Sequence, residues 1–118
     1  MLTGAHVVVY AEDAERARAF FRDVLDLPSV DAGEGWLIFA LPPAELGVHP
    51  AEQTGRHELY LMCDDIEATV AELTRKGARF DGDVSDQGFG RVATLAVPGL
   101  GPVGLYEPRH PSPVPPAS

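Results

Sequence analysis

The chain has 118 residues, of which 45% are hydrophobic, and a formal net charge of −9 at pH 7. This length fits one compact domain, and the negative charge argues against nucleic acid or anionic membranes as partners, because phosphates would be repelled. A single cysteine excludes an internal disulfide. No segment approaches the roughly 20 apolar residues of a membrane span and no signal-peptide pattern opens the chain, so we expect a cytoplasmic protein.

The first half of the chain reads as a strand, a helix and three short strands. Residues 6–10 (HVVVY) favour a strand because β-branched and aromatic residues predominate there. Asp13 is a suitable N-cap for a helix whose apolar face is formed by Ala17, Phe20 or Phe21, Val24 and Leu25. Glycine and proline clusters separate three further strands, which we predict at residues 29–31, 36–41 and 45–49.

The second half repeats this order. A shift of 52 residues aligns Asp13 with Asp65 and Glu15 with Glu67, at the start of a second predicted helix that Gly77 ends. A strand at residues 58–62 precedes this helix. The strands predicted after it are residues 78–84, 90–97 and 103–107.

The repeat predicts an α+β fold made of two tandem βαβββ modules. The first module covers about residues 4–50 and the second about residues 57–108, within a single domain over residues 1–111. Residues 109–118 form a proline-rich tail that we expect to be extended or disordered.

Three stretches carry a family resemblance: HVVVYAEDAERARAFFRDVLDLP (6–28), CDDIEATVAELTRKGARF (63–80) and QGFGRVATLAVPGLGPVGLYEPRHP (87–111). Together they resemble the vicinal oxygen chelate superfamily, which includes glyoxalase I, extradiol dioxygenases, fosfomycin-resistance enzymes and bleomycin-resistance proteins. The resemblance covers about residues 4–111 and implies a curved mixed sheet around a cleft. It also implies that, in metal-using members, ligands come from the first and last strand of each module and the ion binds two vicinal oxygens of a substrate.

Strand alternation gives each opening strand a face under its helix and a face toward the implied cleft. In the first module, Val7 and Val9 would pack beneath the helix. In the second module, Leu59, Leu61 and Cys63 would do so. The residues left for the cleft are His6, Val8 and Tyr10 in the first strand and Glu58, Tyr60 and Met62 in the second.

The resemblance makes His6 and Glu58 candidate metal ligands, because they occupy equivalent positions in the two repeats. Either Glu45 or His49 would supply a third ligand, and the sequence does not decide between them. Such a nitrogen and oxygen donor set suits Zn²⁺, Fe²⁺, Ni²⁺ or Mn²⁺. The family's glutamate on the last strand would match best at Gly104, which cannot ligate. The alternative is a metal-free cleft in which His6 and Glu58 form hydrogen bonds.

Aromatic side chains combine apolar area with a polar group and suit small organic ligands. The residues that would contact a substrate in the implied cleft are Tyr10, Trp36, Tyr60, Met62, Phe89, Arg91 and Tyr106. Arg91 would meet an anionic group or simply lie on the surface. A carboxylate that does not bind the metal would act as a general base: Glu58, or Glu107 if a bulge brings it into phase.

Three functions follow from these residues. The first is an enzyme of the glyoxalase or dioxygenase type, in which a divalent metal coordinates vicinal oxygens of a small substrate. The second is a metal-free binding protein that traps a small aromatic or cationic molecule, as bleomycin-resistance proteins do. The third is an interaction module without a ligand. We expect a homodimer, because members of the superfamily often form one and edge strands of small sheets pair.

Overall fold

The structure, a computed structural model, describes residues 6–45, 47, 50, 52, 53 and 57–111. The described chain contains two helices, α1 (Ala14–Asp23) and α2 (Ile66–Arg75). Its strands are β1 (Ser29–Asp31), β2 (Leu37–Phe39), β3 (Tyr60–Met62), β4 (Arg79–Phe80), β5 (Ser85–Asp86), β6 (Gly90–Val97) and β7 (Gly101–Pro108). None of the helices in these residues is long and apolar enough to cross a membrane.

The strands form a large mixed sheet and a small antiparallel one. The large sheet has the order β3-β7-β6-β4, with β5 also pairing with β6. β3 runs parallel to β7, whereas the pairs that β6 makes with its neighbours are antiparallel. β1 and β2 pair with each other. This architecture confirms the predicted α+β class with βαβββ modules, and it is most complete in the second module.

Both helices begin where the sequence places them, because a short carboxylate caps each one. Asp13 accepts a hydrogen bond from the Arg16 N–H at 3.1 Å. Asp65 accepts one from the Ala68 N–H at 3.1 Å. α2 ends before Gly77, whose φ of +98° is the left-handed conformation that glycine adopts without a Cβ penalty. These local predictions are confirmed.

Both helices pack on the same face of the large sheet. The cluster that joins α1 to the sheet contains the buried residues Ala17, Phe20, Phe21, Ala78, Leu95, Val97 and Val103. The cluster that joins α2 to it contains the buried residues Ile66, Ala93 and Leu105. The helix of the first module is therefore held by the sheet of the second, and the Asp13 N–H also donates to the Gly99 carbonyl at 3.0 Å.

The predicted opening strand of the first module differs most from the sequence analysis. Residues 6–10 belong to neither sheet in the described chain. Val7 and Val9 do not pack beneath α1, since 52% and 42% of their surface is exposed. The physical reason is that α1 takes its apolar partners from β6 and β7 instead.

The strands predicted at residues 29–31 and 90–97 are confirmed at those bounds, the one at 58–62 is shorter, and the one at 103–107 is longer. The strand predicted at residues 36–41 is reduced to β2, and the one at 78–84 is replaced by β4 and β5. Most of the strand predicted at residues 45–49 lies outside the described residues. In the second module the predicted alternation is confirmed, because Leu59, Leu61 and Cys63 contact the core while Tyr60 and Met62 are exposed.

Candidate functional site

The large sheet has one face that α1 and α2 leave uncovered, which we call the open face. Alternation assigns its residues, because Ala93, Leu95, Val103 and Leu105 point toward the helices and are buried. The strand register shows which of these residues are neighbours. Gly104 of β7 lies between Thr94 of β6 and Tyr60 of β3, and Tyr106 of β7 lies between Val92 and Met62 of the same two strands. The open face thus carries aromatic and aliphatic side chains on three adjacent strands.

A cavity of about 380 Å³ opens on this face. It lies between Val9 of the opening segment, the segment leading into β3, and strands β6 and β7. Its lining residues are Val9, His57, Glu58, Leu59, Tyr60, Val92, Thr94, Leu100, Pro102, Val103 and Gly104. The volume is at the lower end of the range for pockets that hold small organic ligands, and the lining combines apolar side chains with a few polar groups.

The ring of Tyr60 lies directly over Gly104 in this cavity. A Cβ atom added at Gly104 would come within 2.5 Å of Tyr60 Cε1, so no larger residue fits beneath the ring in this arrangement. The Tyr60 hydroxyl donates a hydrogen bond to Glu58 Oε2 at 2.8 Å. Glycine therefore provides the space that the tyrosine ring occupies, and the carboxylate holds the ring's polar end.

Beyond Tyr60 the open face carries an aromatic cluster. The Tyr106 ring lies 5.9 Å from Tyr60 in an edge-to-face arrangement and 5.7 Å from Phe89. The His110 ring lies 5.8 Å from Tyr106 on another side. These neighbours leave Tyr106 buried although it belongs to the open face. Burial, and to a lesser extent the nearby Glu45 carboxylate, raises the pKa of Tyr106, so it is a neutral phenol at pH 7.

Polar contacts hold the first residues of the predicted tail against this cluster. The Arg109 guanidinium forms a bidentate salt bridge with the Asp86 carboxylate, with N–O distances of 2.5 and 2.6 Å. The Arg109 guanidinium, helped by the Gly88 N–H, lowers the pKa of Asp86 to about 2, so this carboxylate is ionised at pH 7. His110 Nε2 lies 3.2 Å from Glu45 Oε2. Residues 109–111 are thus anchored, and residues 112–118 lie outside the described residues.

The model of the Glyoxalase/Bleomycin resistance protein/Dioxygenase superfamily matches residues 4–108, which is nearly the whole chain. The chain belongs to this superfamily. The match confirms the resemblance found in the sequence. Comparison with curated proteins gives no match.

Several solved structures share the fold. TnmS3, an antibiotic binding protein from Streptomyces sp. CB03234, is 25% identical with a TM-score of 0.61, covering 92% of this chain and 99% of that chain. A glyoxalase/bleomycin resistance protein from the same organism is 26% identical with a TM-score of 0.56, covering 83% and 94%. A lactoylglutathione lyase from Agrobacterium tumefaciens is 18% identical with a TM-score of 0.59, covering 88% and 92%, and shows the fold alone.

The residues predicted to bind the superfamily's metal are not brought together. His6 is exposed and does not line the cavity, Glu45 pairs with His110, and Glu58 accepts from Tyr60. His49 lies outside the described residues. Among the residues that the structure describes, no three His, Cys, Asp or Glu side chains are grouped so as to hold a metal ion. With the Tyr60 ring over Gly104, the described residues do not fit a metal centre.

Two other predicted site residues lie on the helix-covered face of the sheet. Glu107 Oε1 accepts a hydrogen bond from the Ile66 N–H at 2.9 Å, at the start of α2. Arg91 pairs with Glu67 of α2 at 2.5 Å. The structure thus gives Glu107 a capping role and Arg91 a surface ion pair, and no bulge brings Glu107 into phase with the open face. We leave both out of the proposed site.

Of the remaining residues predicted to contact a substrate, four lie on or beside the open face and two lie elsewhere. Tyr60, Met62, Phe89 and Tyr106 share the open face or its rim. Trp36 stacks with the guanidinium of Arg18 at 5.5 Å, beside α1, and Tyr10 is 90% exposed. Tyr10 and Trp36 therefore do not line the cavity.

Sequence analysis missed several residues of the site. Val92 and Thr94 line the cavity, and their alternation with the apolar residues Ala93 and Leu95 was a signal that could have found them. His110 was assigned to the proline-rich tail, which we expected to be extended or disordered. No sequence signal indicated its contact with Tyr106, because that contact depends on how the chain leaves β7.

Proposed function

We propose that this protein binds a small organic molecule in the open-face cavity and does so without a metal ion. The observation that carries the proposal is the Tyr60 ring over Gly104, with its hydroxyl bound to Glu58. This arrangement fills the position where a metal-using relative would place a ligand. It leaves an apolar cavity beside a carboxylate, which suits an organic compound.

One of the similar solved structures supports binding. TnmS3, at 25% identity and over nearly the whole of both chains, is an antibiotic binding protein. The metal-dependent enzyme that the sequence also suggested needs a donor set that the described residues do not assemble. Sequestration needs only a cavity of suitable size and lining, and the open face supplies one.

A thermal-shift screen of antibiotics and small aromatic compounds tests this function. A bound compound raises Tm by mass action, and the rise is expected to be the same after the protein is dialysed against EDTA. Thr94→Trp would place an indole ring in the cavity from the middle of β6, so we expect affinity for each hit to fall about 100-fold or more, because the ring overlaps the space that the ligand occupies.

The matched control is Thr74→Trp, on the exposed surface of α2, which should leave affinity unchanged. Two outcomes contradict the proposal. One is a ligand whose binding disappears with EDTA and returns with Zn²⁺, Ni²⁺ or Mn²⁺. The other is equal binding by the Thr94→Trp and Thr74→Trp variants.

The proposal includes a homodimer, because large apolar side chains lie exposed along the first module. These side chains are Val7, Val8, Val9, Tyr10, Val30, Trp36 and Leu41. In the described chain the β1–β2 sheet has only two strands, and two-stranded sheets are marginally stable in water. A second copy would cover these side chains and extend the sheet across a two-fold axis.

Light scattering during gel filtration is expected to give about twice the single-chain mass of 12.6 kDa. Val8→Lys places a charge among the exposed valines and should shift the protein to the monomer mass, because a charge buried in an interface is unpaired. Glu12→Lys, at a neighbouring exposed polar position, is the control and should remain dimeric. A monomeric wild-type protein at high micromolar concentration would contradict this part of the proposal.

A further inference from the structure

One hydroxyl group interrupts an otherwise apolar wall of the open-face cavity. The lining residues that β6, β7 and the turn between them supply are Val92, Thr94, Leu100, Pro102, Val103 and Gly104. Within this set, Thr94 alone has a polar side chain. The polar side chains of the opposite wall belong to residues 57–60. Gly104 lies between Thr94 and Tyr60 in the strand register, so the Cα atoms of these two residues are about 10 Å apart.

The Thr94 hydroxyl makes no hydrogen bond with another residue that the structure describes. Thr94 is half-buried, and its hydroxyl oxygen is still reached by solvent. The hydroxyls of Thr69 and Thr74 differ, because they donate to carbonyls within α2 at 2.8 and 2.7 Å. A hydroxyl group has one hydrogen to donate and lone pairs that can accept. The Thr94 donor is therefore available to a molecule in the cavity.

The rest of this wall favours a ligand with a saturated apolar body. Val9, Val92, Leu100 and Pro102 contribute aliphatic surface to the cavity, and covering that surface is favourable in proportion to its area. A polar group of the ligand that is buried against it costs free energy unless it finds a hydrogen-bond partner. The lining also includes the carboxylate of Glu58, which disfavours an anionic ligand.

Building on the proposed metal-free binding, we propose that Thr94 is a specificity-determining residue for neutral, mainly saturated ligands that carry a carbonyl oxygen, such as ketones and esters. The Thr94 hydroxyl donates to that oxygen, and the saturated body lies against Val9, Val92 and Pro102. A carbonyl needs only a donor, which one hydroxyl can supply. A ligand hydroxyl or amide needs both a donor and an acceptor, so a single partner satisfies it less completely.

NMR titration of the ¹⁵N-labelled protein with three probes tests this selection. The probes are 2-adamantanone, 1-chloroadamantane and adamantane-1-carboxylate, which share one saturated cage and differ in the polar group. We expect the ketone to bind roughly fivefold or more tightly than the chloride, since only the ketone offers a good acceptor. The carboxylate should bind most weakly. The amide resonances of Val92 and Gly104 should shift, because both residues line the cavity.

Substitutions at Thr94 separate the hydrogen bond from the shape of the wall. Thr94→Val replaces the hydroxyl with a methyl group of similar size, so affinity for the ketone should fall roughly fivefold or more while that for the chloride stays within about twofold. Thr94→Ser keeps the hydroxyl and should keep the preference for the ketone. Thr74→Val removes a hydroxyl from α2, outside the cavity, and is the matched control that should bind both probes as the wild-type protein does.

The outcomes distinguish this inference from the proposed function. Equal affinities for the ketone and the chloride, or a ketone preference that survives in Thr94→Val, overturn the role of Thr94 and leave metal-free binding in place. A carboxylate that binds more tightly than the ketone overturns the ligand class. If none of the probes binds, the inference is overturned. Metal-free binding then fails as well only if the thermal-shift screen also finds no ligand.

Discussion

Leu95→Ala is expected to lower the free energy of unfolding by about 3–4 kcal/mol, because it removes a large side chain from a site that cannot collapse. Leu95 has no exposed surface and lies in β6, within the cluster that joins α1 to the sheet. It packs among Phe20 and Phe21 of α1 and Val97 and Val103 of the sheet. For a chain of this length the loss corresponds to a fall in Tm of more than about 10 °C.

Urea denaturation followed by circular dichroism measures this effect. Glu72→Ala is the control, since Glu72 is exposed on α2 and its truncation should cost less than about 1 kcal/mol. Equal losses in the two variants, or a loss below about 1 kcal/mol for Leu95→Ala, would contradict the packing of α1 on the second module's sheet.

The helix starts were predictable because capping is local. Asp13 and Asp65 each bond to an N–H three residues away, so the sequence alone contains both partners. Gly77 is equally local, since its positive φ depends on the helix that it ends. The repeated order of these signals was sufficient to predict the βαβββ arrangement.

The partner of α1 was not predictable from the same signals. The residues of the apolar face of α1 were predicted correctly, but an apolar face does not determine which strand the helix packs against. The sequence analysis paired it with Val7 and Val9, the nearest apolar residues along the chain. The structure pairs it with Leu95 and Val97 of β6, more than 70 residues away.

The candidate site was predictable to the extent that it depends on alternation. Tyr60 and Met62 were assigned to the cleft face because the apolar residues between them must face the core. The stacking of Tyr60 on Gly104 depends on the register of β3 against β7, which pairs residues 44 positions apart. The sequence showed that Gly104 cannot supply the family's metal ligand. That Gly104 makes room for the Tyr60 ring could be seen only from the register of β3 against β7.

A substitution in the turn between β6 and β7 is expected to have a similarly large effect on stability. Gly99→Ala is expected to lower the free energy of unfolding by about 3 kcal/mol, from a left-handed backbone and an overpacked contact together. Gly99 has a φ of +80°, and an added Cβ would lie 2.8 Å from Asp13 Cβ and closer still to the Asp13 carbonyl oxygen. Asp13 caps α1 and donates its N–H to the Gly99 carbonyl at 3.0 Å, so the methyl group forces α1 away from the turn.

Gly82→Ala separates the two causes, because Gly82 has a φ of +77° and open space around its Cβ position. For that variant the free energy of unfolding should fall by only about 1 kcal/mol, which is the cost of the left-handed backbone conformation for a residue with a Cβ atom. Equal losses at both glycines in urea denaturation would mean that the contact with Asp13 contributes nothing. The Gly99 variant should also bind its ligand more weakly, because Leu100 and Pro102 line the cavity immediately after the turn. The same turn therefore fixes the helix of the first module and shapes one wall of the binding site.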